Sequence, residues 1–126
     1  MITATPSKDY QEKVLEAAEL VRLGWCRGHY AEDVHGNPVG CTSNDAVSFC
    51  FFGALRRVFN WNLPNDLYAA TGHVLGVHPT GWNDSPERKR SEVVEALCEL
   101  AELYAPHPPD EDDLRAANPP EALSST

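Results

Sequence analysis

Four cysteines, five histidines and a Trp-Asn-Asp triplet are the parts of this chain best equipped for chemistry. Cys26-x2-His29, followed by His35 and Cys41, offers the sulfur and imidazole donors that suit zinc, but it lacks the paired knuckles of a strong zinc motif. Cys50 with His73 or His78, and with Asn83 or Asp84, supplies the residue types of a thiol nucleophile, its base and an orienting group. A reactive thiolate is commonly stabilised at a helix N-terminus. The apolar pattern puts Cys50 two turns inside a helix, which argues against that role. Cys50 and Cys98 both fall in apolar helical patterns, where cysteine behaves as a small buried hydrophobe. The expectation is therefore no catalytic residue, no metal ligand and no cofactor.

Trp82-Asn83-Asp84 supports two readings. As scaffold, Trp82 docks on the core while Asn83 and Asp84 hydrogen-bond backbone groups before Ser85 and Pro86. As a site, Trp82 and Asn83 join Trp25, His29 and Tyr30 in an aromatic-rimmed groove with amide and carboxylate handles. Such a groove suits a partner's side chain or a small polar ligand. The candidate ligand- or partner-binding residues are thus Trp25, His29, Tyr30, Trp82, Asn83 and Asp84.

These residues need elements to position them. Residues 46–59, AVSFCFFGALRRVF, are apolar almost all round, which predicts a helix buried at the centre of the fold. A first helix is expected from Lys8 to Leu23, with Ser7 as cap and Val14, Ala17, Ala18 and Val21 on one face. Gly24 stops it, with Trp25 folded back in a Schellman-type ending. A third helix covers Leu67, Tyr68, Ala70, Val74 and Leu75. A fourth starts at Ser85 and Pro86 and carries the stripe Val93, Leu97, Leu100 and Tyr104. Between the first two helices, Tyr30 to Val34 and then Val39, around His35-Gly36-Asn37-Pro38, read as a short β-hairpin. Gly53 inside the buried helix implies close approach by a crossing helix. Arg56 and Arg57 are expected to meet solvent or the glutamates of the fourth helix.

The fold class that follows is mainly α: a compact four-helix domain around a buried central helix, with a small β-hairpin between helices 1 and 2. Residues 1–104 form that single domain. Residues 105–126 hold five of the ten prolines and the Asp110-Glu111-Asp112-Asp113 run, and they read as a flexible acidic tail.

The net charge of −9 and the lack of clustered Lys and Arg exclude direct nucleic-acid binding. No stretch has the apolar length of a bilayer span, and residues 1–7 show no leader pattern. A cytoplasmic location and free thiols are expected.

Gly24-Trp25-Cys26, Gly28, Ala31, Asp33 and Gly36, then Phe49-Cys50 with Gly53-Ala54-Leu55, then Trp82-Asn83-Asp84 with Arg88 and Glu92-Val93, form an ordered set of short motifs. Over roughly residues 10–104 the chain resembles a family of small uncharacterised proteins, a domain of unknown function, found in bacteria and bacteriophages. The resemblance implies a bacterial or phage accessory protein and brings no activity with it.

The reading is a non-enzymatic accessory or interaction domain whose partner is an unidentified protein or small polar ligand. The alternative is a small enzyme or metal-binding protein using the hairpin from Trp25 to Cys41 and the Trp82-Asn83-Asp84 loop. A further alternative, resting on the acidic tail and helix faces, is an inhibitor of a host nucleic-acid-binding protein.

Overall fold

The computed structural model describes residues 6–105, so the acidic tail and the expectations attached to it lie outside the described residues. Along the chain come α1 (Lys8–Leu23), β1 (Ala31–Glu32), β2 (Ser48–Phe49), α2 (Phe51–Phe59), α3 (Leu67–Leu75), α4 (Pro79–Asp84) and α5 (Arg90–Leu103). The fold is mainly helical, with a small antiparallel strand pair between the first two helices, as predicted. The helix beyond the four expected is α4, a short one built from the segment read as a loop.

α1 forms where its caps and spacing require. The Ser7 hydroxyl accepts the Tyr10 N–H at 3.1 Å, which satisfies a donor that the first turn leaves open. Val14, Ala17, Ala18 and Val21 are buried, and the helix lies along α5 and α2. From α5, Val93, Leu97, Leu100 and the following Tyr104 fill the same core with no exposed surface. Ser7 N–H donates to the Tyr104 carbonyl at 2.8 Å, which brings the two ends of the described fold together.

The apolar run at residues 46–59 divides into two elements. Ser48 and Phe49 are strand, and the helix begins at Phe51. Phe49 is held from both sides: it faces Ala31 across the antiparallel pair and bridges to Trp25 on the other edge. Its N–H donates to the Gly24 carbonyl at 2.9 Å, and its carbonyl accepts from Cys26 N–H at 3.2 Å. This pairing pulls α1 to an extended ending at Gly24, φ −166°, in place of the expected Schellman turn. A Cβ on Gly24 would lie 2.2 Å from the Val47 carbonyl oxygen, so the strand leaves room only for glycine.

The partner of β1 is therefore β2, and the expected return strand at Val39 is reduced to one bridge between Glu32 and Pro38. Asp33 closes the intervening turn, its Oδ1 accepting from His35 and Asn37 N–H at 2.9 Å each. The Asn37 bond first, with the His35 bond, holds the Asp33 carboxyl below its ordinary range.

Gly53 meets the backbone of Tyr30 rather than a crossing helix; a Cβ there would sit 1.9 Å from the Tyr30 carbonyl oxygen. α2 buries Phe51, Phe52, Gly53, Ala54, Leu55 and Phe59, against α1 on one side and α4 on another. α5 starts at Arg90, later than Ser85, because Ser85 ends α4 and the Glu92 carboxylate accepts the Lys89 N–H at 2.9 Å. Cys98 is exposed, contrary to expectation. It sits about 100° of helix rotation past the buried Leu97, outside the stripe.

Candidate functional site

Asn83 is the centre of the motif, and it has no exposed surface. Its Oδ1 accepts from the Trp25 indole N–H at 2.8 Å and from the Phe51 backbone N–H at 3.0 Å. Its Nδ2 donates to the Cys26 carbonyl at 3.1 Å and to Asp84 Oδ1 at 3.0 Å. All four hydrogen-bonding capacities of the amide are therefore used. One side chain ties α4 to the segment after α1 and to the first turn of α2. Asp84 Oδ1 also accepts the Gly28 N–H at 3.0 Å, fixing the turn that carries His29 and Tyr30. Gly28 adopts φ +81°, a conformation that favours glycine.

The two tryptophans flank this knot. Trp82 has the Arg88 guanidinium 3.9 Å from its ring centre and Phe51 edge-on at 6.0 Å. Arg88 Nε donates to the Trp82 carbonyl at 2.9 Å. Trp25 carries the Arg27 guanidinium at 4.6 Å, and Arg27 donates to the carbonyls of Pro86 and Arg88. Trp82-Asn83-Asp84 is thus a long-range clamp: the backbone partners of Asn83 and Asp84 are at Cys26, Gly28 and Phe51, not in the turn before Ser85 and Pro86 as expected.

In front of the clamp opens a cleft of about 210 Å³, lined by Gly28, His29, Tyr30, Cys50, Thr80 and Asp84. Of the six candidate residues, His29, Tyr30 and Asp84 face this space. Trp25, Trp82 and Asn83 form the framework behind it. His29 Nδ1 lies 2.9 Å from Glu32 Oε2. Thr80 and Cys50 also line the cleft but fall outside the six predicted binding residues: the sequence pattern assigns Thr80 to a loop and sets Cys50, weighed only as a nucleophile, inside a helix.

Cys50 occupies the N-cap of α2, and its Sγ accepts the Gly53 N–H at 3.2 Å. That is a position able to stabilise a thiolate. Burial outweighs it: desolvation pushes the thiol pKa up despite the Gly53 and Phe52 amides. Cys26 is pushed up to about 12, first by burial and then by Cys50, and burial also raises Cys41. These thiols stay protonated near neutrality. His78 Nδ1 accepts the Thr80 N–H at 3.2 Å, capping α4. Among the described residues, no three His, Cys, Asp or Glu side chains gather to hold a metal, so Cys26, His29, His35 and Cys41 do not form a ready set.

Arg56 and Arg57 do not reach the glutamates of α5. Arg57 Nη1 donates to the carbonyls of Cys41 at 3.2 Å and Ser43 at 2.7 Å. The Arg56 guanidinium lies 4.3 to 4.7 Å from the ring centres of Trp61, Tyr30 and Phe52. Sequence spacing gave no sign of that cluster.

The model of a family of unknown function, DUF6197, matches residues 8–103. The chain belongs to that family. The matched span of this DUF6197 domain takes in the clamp, the cleft and all five described helices. Neither a curated protein nor a solved structure matches the chain. Among the described residues, no helix is long and apolar enough to cross a membrane.

Proposed function

We propose that this DUF6197 domain is a non-enzymatic accessory module of bacterial or phage origin that grips a partner through the cleft beside Tyr30. The observation that carries this reading is the division of labour within one motif. Asn83 and Trp82 are consumed by the scaffold, while Asp84, His29 and Tyr30 are presented together at its surface. An aromatic edge beside a carboxylate suits a hydrogen-bond-donating, basic side chain of a partner. A non-catalytic role fits the raised thiol pKa values, since a nucleophile must be available as thiolate.

The test is affinity capture from a bacterial host with the wild-type chain and with Tyr30→Ala and His29→Ala, each checked for its melting temperature. A protein retained by wild type and lost by both variants at unchanged melting temperature supports the cleft as the gripping surface. Equal recovery by all three refutes it.

A thiol enzyme is the second reading, favoured by the placement of Cys50 at a helix N-cap on the cleft wall. Iodoacetamide at neutral pH is expected to alkylate the exposed Cys98 and to leave Cys50 unmodified in the folded protein. Labelling of Cys50 as fast as Cys98 would move the assignment to catalysis.

A further inference from the structure

We propose that the surface formed by Tyr30, Arg56 and Trp61 is a docking face for the chain's own acidic, proline-rich segment, residues 106–113. Tyr30 is shared with the cleft, whereas Arg56 and Trp61 do not line it, so a test that reads Trp61 is separate from what the cleft binds.

Three features mark the face. The Arg56 guanidinium is stacked by three rings, yet its Nε is buried with no hydrogen-bond partner among the described residues. Trp61 is 51% exposed and Tyr30 40% exposed, beside Tyr68 at 54%, whose ring lies 5.2 Å from Phe52. Trp61 also holds φ +69°, a left-handed conformation that bulky residues rarely adopt. The chain keeps a large aromatic ring where backbone sterics disfavour it, and leaves that ring half in solvent. Tryptophan, tyrosine and arginine are the side chains that dominate binding surfaces.

The occupant is argued from charge, composition and the exit point of the chain. Residues 106–113 read Pro-His-Pro-Pro-Asp-Glu-Asp-Asp, prolines followed by four acids. Prolines suit aromatic faces, and carboxylates suit a guanidinium. The described fold ends beside α2: Tyr104 lies edge-on to Tyr10 at 5.7 Å, and Tyr10 lies edge-on to Phe59, the last residue of α2, at 5.5 Å. Trp61 follows two residues later, and Arg56 is one turn earlier. From Ala105 to Asp110 a chain can span up to roughly 17 Å, which is long enough to carry the first acids along the C-terminal half of α2.

The test uses the full chain and leaves the fold untouched. Asp110→Asn, Glu111→Gln, Asp112→Asn and Asp113→Asn are combined, and the three indole N–H resonances of Trp25, Trp61 and Trp82 are followed by NMR. Neutralising the acids is expected to move the Trp61 resonance and leave the other two in place. A synthetic peptide of residues 106–113 added to that variant is expected to move Trp61 back. Trp61 unmoved by the substitutions overturns the proposal. A Trp61 position that changes with protein concentration overturns it too, because the face would then be joining separate copies.

Discussion

At the scale of single residues, Asn83 carries more of the architecture than any catalytic role would need. Replacing it by Ala leaves the Trp25 indole, the Phe51 amide and the Cys26 carbonyl without their partner. Buried groups orphaned in this way cost about 1–3 kcal/mol each, so Asn83→Ala is expected to lose roughly 3 kcal/mol or more, read as a drop in denaturant midpoint. A variant of unchanged midpoint would remove Asn83 from the scaffold. Cys26 makes a second prediction. Below about pH 9 its thiol is protonated whether the chain is folded or unfolded, and its contribution is constant. Between about pH 9 and 12 the unfolded chain releases that proton and the folded chain keeps it, so stability falls as pH rises. Tyr104, whose pKa is also raised by burial and by Asp66, acts in the same direction. Cys26→Ser is expected to flatten the decline of melting temperature over that range, and an identical decline would refute this origin. The sequence identifies Asn83 and Asp84 as a polar motif worth testing. It cannot name their partners, because Cys26, Trp25 and Phe51 lie 57, 58 and 32 residues away from Asn83.

At the scale of elements, legibility follows how local the determining physics is. α1 is readable to the residue because Ser7, the buried stripe and Gly24 all act within one segment. The join of β2 to α2 is hidden, since a buried strand and a buried helix present the same uninterrupted apolar run. Only the pairing of Phe49 with Ala31 on one side and Trp25 on the other separates them. α5 is misplaced at its start for a related reason: Ser85-Pro86 is a good local start signal, but α4 uses Ser85 to end. Gly53 tests the arrangement directly. Gly53→Ala adds a methyl group whose carbon would lie 1.9 Å from the Tyr30 carbonyl oxygen, far inside van der Waals contact, and backbone cannot swing aside as a side chain can. Instead of the gain of up to about 1 kcal/mol that Ala brings inside an open helix, the variant is expected to fold poorly or not at all. A thermal melt as high as wild type would show that β1 does not lie on α2.

At the scale of the whole molecule, α1 and α5 make the longest packed pair, and α2 packs on α1 while carrying the hairpin and the cleft at its N-terminal end and the Arg56 cluster toward its C-terminal end. The two surfaces proposed for recognition thus both border one short helix with a buried aromatic interior. The bond between Ser7 and Tyr104 has its own consequence. A covalent link of a few glycines across that gap, with new termini cut at the exposed pair Gly76 and Val77, is expected to give a circular permutant that melts cooperatively; an unfolded permutant would mean that chain order around α3 matters more than contacts do. A body whose two strands of chain emerge side by side behaves as a bead on a loop. It can be spliced into the surface turn of another protein without prising its host apart.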